Sequence, residues 1–111
     1  MSTRCHTIIT KGEEKSYVYR HCDGYPDGAG EDLKTFINYY KDNFETWSVN
    51  DLGVELENEE YGFEFENYGI HGDEDYIYFI DMDKKTLECY EVIKDPSEVK
   101  ENMDFVFNEK F

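Results

Sequence analysis

The stretch Glu31-Asp-Leu-Lys-Thr-Phe-Ile-Asn-Tyr-Tyr-Lys-Asp-Asn-Phe-Glu45 decides the fold class. Within it Leu33, Phe36, Ile37, Tyr40 and Phe44 recur at i, i+3, i+4, i+7 and i+11, which places all five on one face of a helix. Glu31 and Asp32 fall in the first turn, where the helix dipole favours negative charge. The spacing predicts an amphipathic helix over 31–45.

Outward from that helix the chain changes period. On its N-terminal side, residues 5–10 (CHTIIT) and 15–22 (KSYVYRHC) are rich in β-branched and aromatic side chains, and Lys11-Gly12-Glu13-Glu14 suits a hairpin between them. Asp23-Gly-Tyr-Pro-Asp-Gly-Ala-Gly30 is a loop, because its glycines and proline continue neither element. On the C-terminal side, Ser48 is placed to cap a short second helix carrying Val49, Leu52 and Leu56, although Gly53 argues against it. In residues 61–67, Phe63 and Phe65 alternate with Glu64 and Glu66, the pattern of a half-buried strand. After a loop over 68–75, residues 76–82 and 86–93 form a second hairpin around Asp83-Lys84-Lys85. The tail from Pro96 offers a short turn of helix and an apolar end, Phe105-Val-Phe107, suited to docking on the sheet. The expected architecture is one α+β domain over 1–111. It has a single antiparallel sheet of about four to five strands, one main helix (31–45) and a short second helix. Ile8, Val18, Phe63, Ile77 and Phe79 are expected to join the helix face in the core.

Composition agrees with a single core. The chain has 111 residues, 17% of them aromatic, with ten Tyr and eight Phe. That supply of core material outweighs a mean hydropathy of -0.82. Eleven Lys and Arg face 27 Asp and Glu, a formal net charge of -16. Residues 1–50 hold six bases and eight acids, a net of -2, whereas residues 51–111 hold five bases and nineteen acids, a net of -14. Such a field repels nucleic acid and anionic lipid and attracts basic protein surfaces. Solubility alone, or life in a salty interior, is the simpler explanation of the same charge. Cys5, Cys22 and Cys89 form no C-x-x-C pair and are expected as free thiols of a reducing cytoplasm. A signal peptide and a membrane span are not expected.

The motifs Met1-Ser2-Thr3-Arg4 and Tyr19-Arg20-His21-Cys22-Asp23-Gly24-Tyr25-Pro26, with the later Gly69-Ile-His-Gly-Asp73, carry a resemblance. The chain resembles a group of small uncharacterised proteins common in bacteriophages, prophages and mobile elements. The likeness spans about two thirds of the length. It implies a phage or mobile-element origin and, with it, the host cytoplasm; it implies no activity.

Three constellations bear on function. His6, His21, His71, Cys22, Asp23 and Asp73 are metal-binding or proton-moving types, but no H-E-x-x-H, C-x-x-C or nucleophile elbow organises them. Loop ligands could still converge into a zinc site from His21 or Cys22 with His71; the simpler role is hydrogen bonding to loop backbone. No metal, no cofactor and no catalytic residue are therefore expected. In the second constellation Arg4, Arg20, His21, Asp23 and Tyr25 surround a tight turn, which either staples the fold or forms a pocket for a phosphate or nucleotide signal. Gly28-Ala-Gly30 before the helix favours an anion, and Asp27, Glu31 and Asp32 oppose one. The third is acidic: Glu55, Glu57, Glu59, Glu60, Glu64, Glu66, Asp73, Glu74 and Asp75 recur along segments read as extended or loop. Strand residues two apart lie about 6.6 Å apart on one face, close to the roughly 6–7 Å between successive phosphates of a nucleic-acid strand.

The expectation from this pattern is a non-enzymatic inhibitor that mimics nucleic acid. Its partner would be a basic, nucleic-acid-handling host protein, and an anti-CRISPR or other counter-defence protein is the concrete form. Direct binding of nucleic acid or membrane is not expected. The alternative is a small-ligand binder that sequesters a nucleotide signal through Arg4, Arg20 and His21. Buried, paired arginines would oppose that alternative, and arginines converging in an open pocket would favour it.

Overall fold

The computed structural model describes residues 3–66, 73–93 and 102–111. Two hairpins organise it. Strands β1 (Cys5–Lys11) and β2 (Glu14–Arg20) pair antiparallel around Gly12, whose φ of 60° suits a residue without a Cβ. Strands β4 (Tyr76–Asp81) and β5 (Thr86–Ile93) pair likewise. The Gly12 N–H donates to Asp83 Oδ2 at 2.7 Å, tying the two turns together. The hairpins meet along β1 and β4, and this contact is parallel. Strand β3 (Phe63–Glu66) adds to β2, and β6 (Asn102–Lys110) adds to β5, giving the order β3-β2-β1-β4-β5-β6.

The α+β class thus matches the sequence pattern, but among the described residues the sheet is mixed and has six strands rather than four to five antiparallel ones. The reason lies between the hairpins. That segment carries both helices, so the chain crosses over the sheet and β4 re-enters beside β1 in the same direction. The apolar tail supplies the sixth strand. Its pairs Cys89↔Phe107 and Tyr90↔Phe105 leave Val106 with no opposite residue, a bulge that turns Phe107 toward the helices and Phe105, 62% exposed, away from them.

Helix α1 (Glu31–Tyr40) is shorter than the 31–45 periodicity suggests. It tightens into a 3-10 turn at Lys41–Asn43, yet Phe44 still reaches the core at 1% exposure. The Lys11 ammonium collects the carbonyls of Phe44 at 2.8 Å, Glu45 at 3.2 Å and Trp47 at 2.7 Å, and so satisfies acceptors the helix leaves open. Helix α2 (Val49–Asn58) forms despite Gly53. Ser48 Oγ accepts the Asp51 N–H at 3.1 Å while Asp51 Oδ2 accepts the Ser48 N–H at 2.9 Å, a complete capping box. Gly53 is needed where it stands: a Cβ there would meet the Phe65 ring at 2.7 Å and Ser16 Oγ at 3.1 Å. Among the described residues no helix is long and apolar enough to cross a membrane.

Both helices cover one face of the sheet. Leu33, Phe36, Ile37, Leu52 and Leu56 pack there on Cys5, Ile9, Val18, Phe63, Tyr78, Ile80 and Leu87. Ile8, Ile77 and Phe79, expected in the same core, lie on the opposite face in a smaller cluster with Tyr17 and Val92. Strand alternation is the cause: with Cys5 and Ile9 turned toward the helices, Ile8 must turn away.

Burial raises the Cys5 thiol from 9.0 to about 12 and the Cys89 thiol to about 11. Burial and then the Asp73 hydrogen bond raise the Tyr19 phenol from 10.0 to about 12. All three ionise more readily in the unfolded chain, so their contribution is complete below the unfolded values and is lost as pH rises through the folded ones. Urea midpoints should stay level up to about pH 9 and fall progressively toward about pH 12. A second expectation concerns Gly53. Alanine there gains about 1 kcal/mol of helix propensity, but it must displace the Phe65 ring. Gly53→Ala should lower the melting temperature of the wild-type protein and raise that of a Phe65→Ala background, a sign reversal read by a double-mutant cycle.

Candidate partner-binding surface

From Asp42 to Asp83 the chain contains fourteen acids and no Lys or Arg. The fold wraps this run from α2 through β3 to β4. Glu55 and Glu57 lie on a helix and Glu59 caps it, so they do not share the two-residue pitch expected of an extended segment. At roughly 100° per residue Glu55 and Glu59 face the same way and Glu57 points elsewhere. The Tyr40 hydroxyl contacts both, at 2.6 Å from Glu55 Oε1 and also against Glu59 Oε1. Glu57 accepts the Phe65 N–H at 2.9 Å, and Glu60 is exposed at a φ of 62° in the turn that follows.

Glu64 and Glu66 do follow strand alternation. Both project from the face of β3 opposite α1 and α2, where the backbone pairing aligns them with ranks that cross the whole sheet. One rank runs Glu66, Tyr17, Ile8, Phe79, Glu88, Asn108; the other runs Glu64, Tyr19, His6, Ile77, Tyr90, Phe105. Tyr90 stands edge-on to Phe79 at 5.6 Å and to Phe105 at 5.9 Å. Glu64, 55% exposed at the side chain, lies 3.3 Å from His21 Nε2.

The last three acids are built into the fold. Asp73 accepts the Tyr19 hydroxyl at 3.0 Å and pairs with Arg4 at 3.6 Å. Asp75 accepts the Arg4 N–H at 3.0 Å. Glu74 is only 2% exposed and faces His6 Nδ1 at 3.7 Å, so it presents no carboxylate to a partner.

Of the arginine constellation Arg20 alone is buried, whereas Arg4, His21, Asp23 and Tyr25 are exposed. Arg20 is 7% exposed, donates through Nη1 to Asp32 Oδ2 at 2.7 Å and through Nε to the Cys22 carbonyl at 2.8 Å, and lies 5.1 Å from the centre of the Phe63 ring. Burial works against its charge, but the hydrogen bond and the charge of Asp32 more than offset that and hold its pKa above the usual value. The Tyr25 hydroxyl donates to Asp23 Oδ1 at 3.2 Å. Gly24 is pressed against β1, where a Cβ would meet Arg4 C at 2.8 Å, and its carbonyl accepts the buried Tyr78 hydroxyl at 2.8 Å. The turn is a staple between the start of β1, the start of α1 and β4. His21 and Cys22 are exposed, whereas His71, the other proposed zinc ligand, lies outside the described residues. The cysteines are free.

Comparison with protein-family models, with curated proteins and with solved structures finds no match for this chain.

Removing Arg20 leaves Asp32 and the Cys22 carbonyl unpaired. Because Asp32 is a third open to solvent, Arg20→Ala should cost about 2–3 kcal/mol, less than a fully buried pair would. Chemical denaturation measures this, and added inorganic phosphate should leave the wild-type melting temperature where it was.

Proposed function

We propose that the protein binds a basic, nucleic-acid-handling partner and occupies the surface that would otherwise hold nucleic acid. The observation that carries this reading is the contrast between four of the eleven cations and the outer carboxylates. Lys11 is held by three carbonyls, Arg20 by Asp32, Arg4 by Asp73, and Lys34 by Glu109 at 3.1 Å and Glu31 at 3.5 Å. The carboxylates of the α2–β3 side, Glu57, Glu60 and Glu64 in the first place, are exposed with no Lys or Arg in their own stretch of chain. An uncompensated field of that sign accelerates encounter with a positive groove and repels nucleic acid. The resemblance of the N-terminal motifs to phage and mobile-element proteins favours a host defence effector, and so a counter-defence inhibitor, as the concrete case. The internal engagement of Arg20 argues against a nucleotide pocket built on it. The chemistry calls for no cofactor.

The test is competition. Binding to a basic nucleic-acid effector should be displaced by nucleic acid and should weaken steeply with salt, since the screening length falls from about 10 Å at 0.1 M to about 3 Å at 1 M. Glu60→Lys with Glu64→Lys alters exposed positions and should abolish competition while leaving the melting temperature close to wild type. Competition that survives both the double reversal and high salt would refute the mimic.

A further inference from the structure

Tyr39 and Tyr40 close α1, and Tyr61 follows α2; together with Thr35, Phe36 and Glu59 they line a cleft of about 270 Å³. That is smaller than the roughly 300–1,000 Å³ typical of pockets for drug-sized molecules and suits one long side chain. Its walls are π faces. Tyr40 packs against Phe36 at 4.9 Å and against Trp47 at 5.4 Å, while Tyr39, 78% exposed, stands edge-on to Tyr40 at 4.7 Å. Its polar side is anionic: Glu59 lines it, and Glu55 reaches the same Tyr40 hydroxyl.

The Tyr40 contacts are the independent clue. A phenol has one proton to donate, and two carboxylates converge on it, which gathers negative charge at the polar side of the cleft. Both carboxylates push the Tyr40 phenol well above its ordinary pKa, which keeps the proton on the oxygen. A cation entering from the cleft would offset that charge. Aromatic faces attract organic cations through their quadrupoles, and a guanidinium adds a planar fork that fits carboxylate oxygens and stacks on rings. No Lys or Arg is among the side chains that line the cleft.

We propose that this cleft is a socket for one arginine side chain of the protein partner. The identity of the occupant rests on the reading that the partner is basic; the socket's chemistry can be tested without that partner. The probe is a capped Gly-Arg-Gly peptide, compared with Gly-citrulline-Gly, which keeps the shape and loses the charge. Trp47, the one tryptophan of the chain, packs on Tyr40 and reports occupancy by fluorescence; ring-proton NMR shifts of Tyr39, Tyr40 and Tyr61 locate it.

The arginine peptide should bind saturably and the citrulline peptide about tenfold more weakly or worse. Tyr39→Ala and Glu59→Gln should each weaken arginine about fivefold, with the fold checked by circular dichroism, whereas Glu64→Gln should leave it unchanged. Equal binding of the two peptides, no saturable response, or an unaltered affinity in both cleft variants would overturn the socket. So would the same NMR shifts produced by magnesium or calcium chloride alone, which would make the site a metal site. Failure of the peptide alongside intact competition with nucleic acid removes the socket and leaves the proposed function. Arginine binding without such competition keeps the socket and removes the mimic.

Discussion

Arg4 joins the two halves of the sheet through its backbone. Its carbonyl accepts the N–H groups of Asp75 at 2.8 Å and Tyr76 at 3.3 Å, and its own N–H returns to Asp75 Oδ2 at 3.0 Å. From there β1 and β4 run parallel through Cys5↔Tyr76 to Thr10↔Asp81. A parallel pair cannot be closed by a turn, so the crossover must travel over the sheet, and it carries α1 and α2 across one face on the way. The position of both helices over one face follows from that one pairing. The Tyr78 hydroxyl, held by the Gly24 carbonyl, locks the entry to the crossover onto the same strand.

What the sequence disclosed tracks how local the physics is. The α1 face, both hairpins, the Phe63/Phe65 alternation and the Ser48 cap are set by residues within a few positions of one another, and each is legible. The β1–β4 pairing spans about seventy residues and leaves no local mark except one. Cys5 to Ile9 are all buried, as in a strand covered on both sides, but the polar His6 and Thr7 interrupt the apolar run that would mark such a strand. Gly53 misled for a related reason: its cost to the helix is local, while its purpose, the close approach of Phe65, is tertiary. The Val106 bulge could not be anticipated either, since it exists only as a mismatch with β5.

The acidic half shows the same division. That the charge belongs to residues 51–111 needs only counting. Which carboxylates face outward depends on the element each one joins. Reading 55–60 as extended gave a pitch that α2 does not have, and placed Glu55 and Glu59 in a row rather than together on Tyr40. Asp73, Glu74 and Asp75, in a segment that looked like open loop, brace the Arg4 junction and the buried His6 side of the sheet. Tyr40, expected in the core with the rest of the α1 face, is only half-buried against it and forms the wall of a cleft, because its hydroxyl end meets carboxylates brought by another helix.

The distribution of cations connects stability to function in this chain. A net charge of -16 opposes compaction through self-repulsion, and two of the eleven bases, Arg20 and Lys11, stand where a positive charge gives a large return. Arg20 is nearly buried against an aromatic ring and a carboxylate, and Lys11 sits among helix-end carbonyls that no side-chain acid could satisfy. Shallow surface pairs would contribute little to stability in water. Arg20 and Lys11 therefore stabilise the fold more than a shallow surface pair would, while the negative exterior follows from the excess of 27 acids over 11 bases. A substitution that frees Arg20 or Lys11 should weaken the fold before it alters the field seen by a partner.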